Sequence, residues 1–438
     1  MSVVSNYLER LDAVPDQEKW PLVNQWLKSE PLPFFEELRE KRPVLVTPGA
    51  TLIARFDDVT DVLNQPKIFT VALYLPKMGN GIYLMCHDDD ALHTREKSIM
   101  QGLLNRDDLP EVRQLVGRLC REILDAAPDH RLEAAYGYCR SVPAGLVQEY
   151  FGFTGVKRSD LIEWSYWNQY DTFHNQPFNP LTDAERRHIS EKHEVTGQHL
   201  TRYIEELIAH RWLTVKLSGC GHVLRRLWAK ATGAKALTDD IVARMLRSHF
   251  PGEVNYDIKR LGVNAGGLLI GAIETTCQAV AQVLEYLLES AEWLPHAQAA
   301  ARLGDTTVFD GIVWEALRFV PIAPLLFRQC AVDYTLGRGR DYETQVSAGT
   351  YILALTQSAM FDAVAFEDPT RFIPTRNWYH YFHFGFGTHE CLGRYIGMVM
   401  IPEMVRQVML RPGLKGQGRI DYRGGPFPER YDLSWDAA

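Results

Sequence analysis

Phe384-Gly385-Phe386-Gly387-Thr388-His389-Glu390-Cys391-Leu392-Gly393 sets one cysteine among small and aromatic residues. A sulfur framed in this way is suited to donate to an iron atom. A cysteine that ligates the iron of a porphyrin needs a bent backbone, so that amide N–H groups can point at the sulfur. It needs small flanks where the macrocycle comes within van der Waals contact, and an aromatic that keeps water away. Gly385, Gly387 and Gly393 meet the first two needs and Phe384 meets the third. A lone buried cysteine in a glycine-rich turn is the commoner use of such a residue. Six specified types at fixed spacing, each at roughly one in twenty, coincide far less than once in a chain of this length.

Two further sets of residues carry chemistry. Gly271-Ala272-Ile273-Glu274-Thr275-Thr276 lies inside a long apolar run, where an acid and two hydroxyls are costly unless they hydrogen-bond. Back-bonded threonines at a kink are one solution; an oxygen-binding notch with a proton relay is the other. Glu315-Ala316-Leu317-Arg318 puts a carboxylate and a guanidinium three residues apart, on one face of an apolar helix, where an isolated pair adds little.

The elements that must position these groups are mainly helical. Residues 43–56 read as two short strands around a Pro-Gly turn, followed by a helix over 57–63. Helical spacing runs through 92–127 and again through 131–212, broken by a loop at 175–180. The stretch 256–288 predicts one continuous helix, apolar almost all round, which must therefore cross the core. A helix at 307–319 precedes short strands near 326–356, then a Pro-rich stretch, the cysteine loop and a helix over 392–409. The expected fold is mainly α with a minor, segregated β-sheet. Lys216, Arg225, Arg226, Lys230 and Lys235 read as a solvated face.

Composition narrows the function classes. The chain has 438 residues, 46% hydrophobic and 23% charged, as expected of a globular protein with a large core. No linker, repeat or low-complexity tract divides it, so a single domain spanning 1–438 is expected. A net charge of −8 argues against nucleic-acid binding. The absence of a signal-peptide layout and of a ~20-residue unbroken apolar run points to a cytoplasmic protein without a membrane anchor. Seven scattered cysteines with no CxxC pair suggest neither a disulfide framework nor a zinc site.

The cysteine run resembles the ligand loop of the cytochrome P450 family in its bacterial form, with His389 two residues ahead of the cysteine. The resemblance covers nearly the whole chain and implies a triangular-prism fold with a long central helix crossing haem b, whose iron Cys391 ligates. It implies that Glu315 and Arg318 lock onto Arg376 as a buried structural triad. It makes Thr275 and Glu274 the catalytic pair that holds oxygen and gates protons, with Ala272 where glycine is commonest. His93, Lys97, Arg328 and His389 fall at propionate-binding positions, Lys97 replacing the usual arginine and so losing the bidentate fork. Phe384, Gly385 and Gly393 would complete the haem contacts.

The implied activity is hydroxylation or oxidative demethylation of a small, largely apolar organic substrate. Electrons would come from a separate ferredoxin or flavodoxin with its reductase, docking near Arg113, Arg118, Arg121 and Arg394, with the enzyme a monomer and no fused reductase. A peroxide-driven peroxygenase and a non-catalytic haem sensor are the rival expectations. The substrate pocket is expected from 69–86, 164–178, 264–275 and 321–327, where the aromatic and polar stretch 164–174 serves either as lid packing or as a contact for an oxygen-bearing ligand.

Overall fold

The computed structural model describes residues 6–79, 81–88, 90–218, 239–248 and 256–437. Arg225, Arg226, Lys230 and Lys235 lie outside the described residues, as does the side chain of Lys216. The architecture is mainly helical, with small sheets set apart. Strands β1 (Val44–Val46), β2 (Thr51–Ile53), β3 (Phe69–Thr70), β4 (Arg131–Glu133) and β5 (Leu326–Cys330) are followed by β6 (Tyr334–Leu336), β7 (Thr344–Val346) and β8 (Tyr351–Ala354). Strands β9 (Lys415–Asp421) and β10 (Arg430–Ser434) close the series. They form a five-stranded sheet in the order β1-β2-β8-β5-β3, a three-stranded sheet β4-β10-β9 and the hairpin β6-β7.

The expected turn around Pro48-Gly49 joins β1 to β2 in antiparallel register, with Leu45 opposite Leu52. The helix expected at 57–63 runs Phe56–Leu63, and that expected at 307–319 runs Thr307–Phe319. The helical spacing over 92–127 resolves into Ala91–Leu103 and Leu109–Asp125, separated by a turn of 3-10 helix. Two long helices, Arg158–His174 and Asp183–Ser218, flank the expected loop at 175–180.

One expectation fails in an informative way. The run at 256–288 is two helices, Ile258–Ala272 and Glu274–Glu289, broken at Ile273 (φ −91°, ψ −63°). The break is stabilised by side chains that satisfy three consecutive carbonyls. Ile270 O accepts from Gln169 Nε2 at 2.7 Å, while Gly271 O and Ala272 O accept from the hydroxyls of Thr275 and Thr276, each at 2.7 Å. Among the described residues, 258–289 is the one stretch long and apolar enough to cross a membrane. Of its most apolar window, 72% is buried inside the protein, so its apolarity is that of a core element.

Candidate active site

The cysteine loop is held by its own backbone. Gly385 (φ +73°) and Gly387 (φ +68°) adopt left-handed conformations that residues with a Cβ avoid. A Cβ on Gly387 would also meet Leu63 O at 2.8 Å. The Cys391 N–H donates to Phe384 O at 2.8 Å, closing the loop. Phe384 lies so close to the Arg394–Met409 helix that a Cβ on Gly397 would come within 2.7 Å of its ring. Trp314 meets it edge-on with centroids 5.8 Å apart.

Behind the loop, Glu315 and Arg318 are both fully buried. Arg318 forks onto Glu315 at 2.7 and 3.1 Å. Arg376 Nε reaches the same carboxylate at 3.1 Å, and Tyr381 Oη (2.6 Å) and the Ile373 N–H (2.8 Å) complete its shell. The two arginines use their remaining donors on backbone carbonyls of residues 360–371.

Cys391 opens onto a cavity of about 1570 Å³, also lined by Gly267, Gly271, Ala272 and Thr275 of the broken helix. Burial raises the thiol pKa; a hydrogen bond from the Gly393 N–H and the nearby Lys97 ammonium pull it back only in part. Apolar residues at 321–327, together with Leu268 and Ile270, line the same space.

The donor set fits a haem. No three His, Cys, Asp or Glu residues cluster to chelate a bare ion among the described residues, so iron at Cys391 needs its other ligands from a macrocycle. Arg328, 4% exposed, lines the cavity. It donates to Phe327 O at 2.9 Å, with no carboxylate at ion-pair distance among the described residues. Burial alone lowers its pKa, and such a cation calls for an anion. Beside it, both ring nitrogens of His389 are buried without a well-formed hydrogen bond, although the Met85 backbone is close enough to act on the ring. Burial, then Arg328, holds this ring neutral, with its pKa pushed down to about 3. Arg328 and His389 are thus free to hold propionates.

His93 and Lys97 are placed differently. Lys97 Nζ donates to Thr388 O (2.5 Å) and Glu390 O (2.8 Å), and the His93 ring nitrogens face Leu84 O (2.8 Å) and Thr388 O (3.2 Å). Both residues brace the ligand loop's backbone. Glu274 likewise turns from the cavity. Its carboxylate takes Arg140 Nε at 2.9 Å on both oxygens, and Arg140 Nη2 lies 3.6 Å from Glu429.

The sequence model described as Cytochrome P450 matches residues 166–411. The chain belongs to the cytochrome P450 family. It is 23% identical over 368 residues to a steroid C26-monooxygenase of Mycolicibacterium smegmatis, covering 83% of this chain and 80% of that protein. It is 24% identical over 371 residues to the cyclomarin C epoxidase of Salinispora arenicola, covering 82% and 83%. A cytochrome P450 from Chondromyces apiculatus superposes with a TM-score of 0.73 at 20% identity, over 94% of this chain and 97% of that one. The fold is therefore that of a cytochrome P450, the cofactor is thiolate-ligated haem b and the enzyme is a monooxygenase.

Within this P450, sequence spacing did not reveal Arg140 or Gln169, which sit 134 and 101 residues from their partners. Burial pushes the Glu274 carboxyl up to about 7, opposed by Arg140. A folded-state pKa above the ordinary 4.5 means that Glu274 contributes stability at low pH and loses it as pH rises through about 7. Glu274→Gln should remove this slope from denaturant-unfolding free energies measured between those two values, whatever constant offset the substitution adds.

Proposed function

We propose that this P450 hydroxylates or oxidatively demethylates a small, largely apolar organic substrate, using Thr275 and Glu274 to control protons at the oxygen-binding notch. The observation that supports this most is the break at Ile273, beside which Thr275 lines the same cavity as Cys391. Cys391 would ligate a haem, with Arg328 and His389 available to its propionates and Phe384, Gly385 and Gly393 beside the sulfur, and the group would supply oxygen activation when bound. The side chains supply the rest.

Thr275 keeps its hydroxyl proton on Gly271 O until a ligand oxygen competes for it. Glu274, with a pKa near neutrality, takes up or releases a proton at physiological pH. Arg140 and the partly exposed Glu429 extend that group toward the surface. His93 and Lys97 steady the loop that carries the ligand. The triad of Glu315, Arg318 and Arg376 fixes the shelf beneath it.

Electrons would come from a ferredoxin or flavodoxin with its reductase in the cytoplasm. The expected arginine surface is only partly basic. Arg113 pairs with Asp310 (2.8 Å) and Glu403 (3.5 Å), Arg118 with Glu122 (2.7 Å) and Glu149 (2.5 Å), and Arg394 with Glu390. A partner docking there would meet these local charge pairs together with Arg121.

Thr275→Ala tests the mechanism. The variant should retain haem and its thiolate spectrum while product per reducing equivalent falls by about tenfold or more, the balance appearing as hydrogen peroxide. Unchanged coupling would remove Thr275 from the proton path. Full activity with peroxide alone would favour the peroxygenase, and no turnover with either would favour the sensor.

A further inference from the structure

One part of the cavity wall has a role that oxygen activation does not require. Asp171, on the Arg158–His174 helix, is 3% exposed. Its Oδ1 accepts from Lys77 Nζ (3.0 Å), Asn175 Nδ2 (2.7 Å) and Ser190 Oγ (2.8 Å), and Oδ2 faces His193 Nδ1 at 2.7 Å. Burial alone would raise its pKa, but these hydrogen bonds, His193's first, outweigh burial and hold it well below the carboxylate range. An ionised carboxylate only accepts, so His193 carries its proton on Nδ1. In the neutral ring Nε2 is then an acceptor.

Lys77 and His193 both line the cavity and are 18% and 17% exposed at their side chains, while Asp171 is hidden behind them. The His193 ring is seated against Gly197, where a Cβ would lie 3.6 Å from its Cδ2. Lys77 gives one N–H to Asp171 and keeps two. The cavity is thus offered a donor and an acceptor on a common carboxylate. With His193 neutral, Lys77 and Asp171 cancel in charge, and the cluster then does not favour an anion. A substrate carboxylate would set its charge against the Nε2 lone pair, whereas a hydroxyl can accept from Nζ and donate to Nε2 together.

We infer that Lys77 and His193, oriented by Asp171, bind a hydroxyl group on the substrate. The oxidised molecule would then be an apolar body that already carries an alcohol. This rests on the monooxygenase reading and narrows its substrate class. The preceding reaction must then be one that leaves a free hydroxyl on that skeleton.

The test uses the haem-loaded full chain and a ladder of primary alcohols from octanol to hexadecanol. Each is compared with the alkane of equal heavy-atom count and the matching carboxylic acid. Dissociation constants come from isothermal titration calorimetry as well as from the haem spin-state change. At the best chain length the alcohol should bind about tenfold tighter than the alkane, the worth of one to two net hydrogen bonds, and tighter than the acid. His193→Phe and Lys77→Met should each shrink the alcohol-to-alkane ratio at least severalfold, and His193→Gln, which keeps a donor and an acceptor, should restore part of it. Equal binding of alcohol and alkane in the unmutated protein overturns the inference, as does a preference for the acid or a ratio untouched by both variants. Imidazole binding and the carbon monoxide complex of the reduced protein report the thiolate haem separately. Their loss would sink the broader reading, and their presence without alcohol preference sinks only this one.

Discussion

Glu315→Ala should yield little haem-loaded protein and should destabilise whatever folds by about 3–5 kcal/mol, the cost of stripping the partner from a buried charge. Glu315 is fully buried and accepts from Arg318, Arg376, Tyr381 and the Ile373 N–H. Its loss leaves the Arg318 guanidinium buried without a counter-charge among aromatic rings, Phe319 at 4.6 Å and Phe361 at 4.5 Å from its Cζ. The effect should be graded across the triad. Arg318→Met removes a buried fork together with donors to Met360 O, Pro369 O and Arg371 O, so it should match Glu315→Ala. Arg376→Met should cost less, because Glu315 keeps Arg318, Tyr381 and Ile373. Haem-to-protein ratio and denaturant midpoints of the three variants check the order. Equal stability of Glu315→Ala and the unmutated protein would mean that the cluster does not hold the ligand shelf.

What could be read in the sequence was set by how local the cause is. Thr307–Phe319 follows from its own apolar spacing and the proline after it. The β1-β2 hairpin follows from its Pro-Gly turn, and the ligand loop from glycines that must take positive φ. A kink with back-bonded threonines is one of the two readings the run 271–276 allows, and both hydroxyls do bond back; that the helix stops at Ile273 is not legible, because both halves are apolar and the periodicity runs through it. Of the three carbonyls satisfied there, one takes its donor from Gln169 on another helix. Glu274 could be picked out as an unusual buried acid, but its partner Arg140 sits on a π-helical turn that no local pattern specifies. Strand β4 pairs with β10 across three hundred residues of chain, and neither strand alone is long enough to announce itself. The stretch 164–174 divides by helical face. Trp167 and Tyr170 stack with each other and Tyr166 packs on Phe427, while Asn168, Gln169, Thr172 and His174 line the cavity. The aromatic side packs within the protein, and the polar side faces the cavity.

Haem uptake by the apoprotein should release about one proton at neutral pH, and Cys391→Ala should release none. The sign follows from the thiol. Burial lifts the Cys391 pKa above its ordinary value of 9.0 despite the Gly393 N–H and Lys97, so the apoprotein holds a neutral thiol and ligation requires the thiolate. Affinity for haem should therefore strengthen as pH rises toward that pKa, a dependence Cys391→Ala lacks. Calorimetric haem titration in buffers of different ionisation enthalpy counts the protons. Lys97→Met sharpens the test. It removes a charge that favours the thiolate and two hydrogen bonds that brace the loop at Thr388 O and Glu390 O. The variant should release the same proton but bind haem more weakly, with its spectrum still that of a thiolate. Cys391→Ala should lose the thiolate signature and oxidation altogether, since Cys86 is the only other cysteine lining the cavity among the described residues and burial pushes its thiol up to about 12. Proton release in Cys391→Ala equal to that of the unmutated protein would place the titrating ligand at a residue other than Cys391.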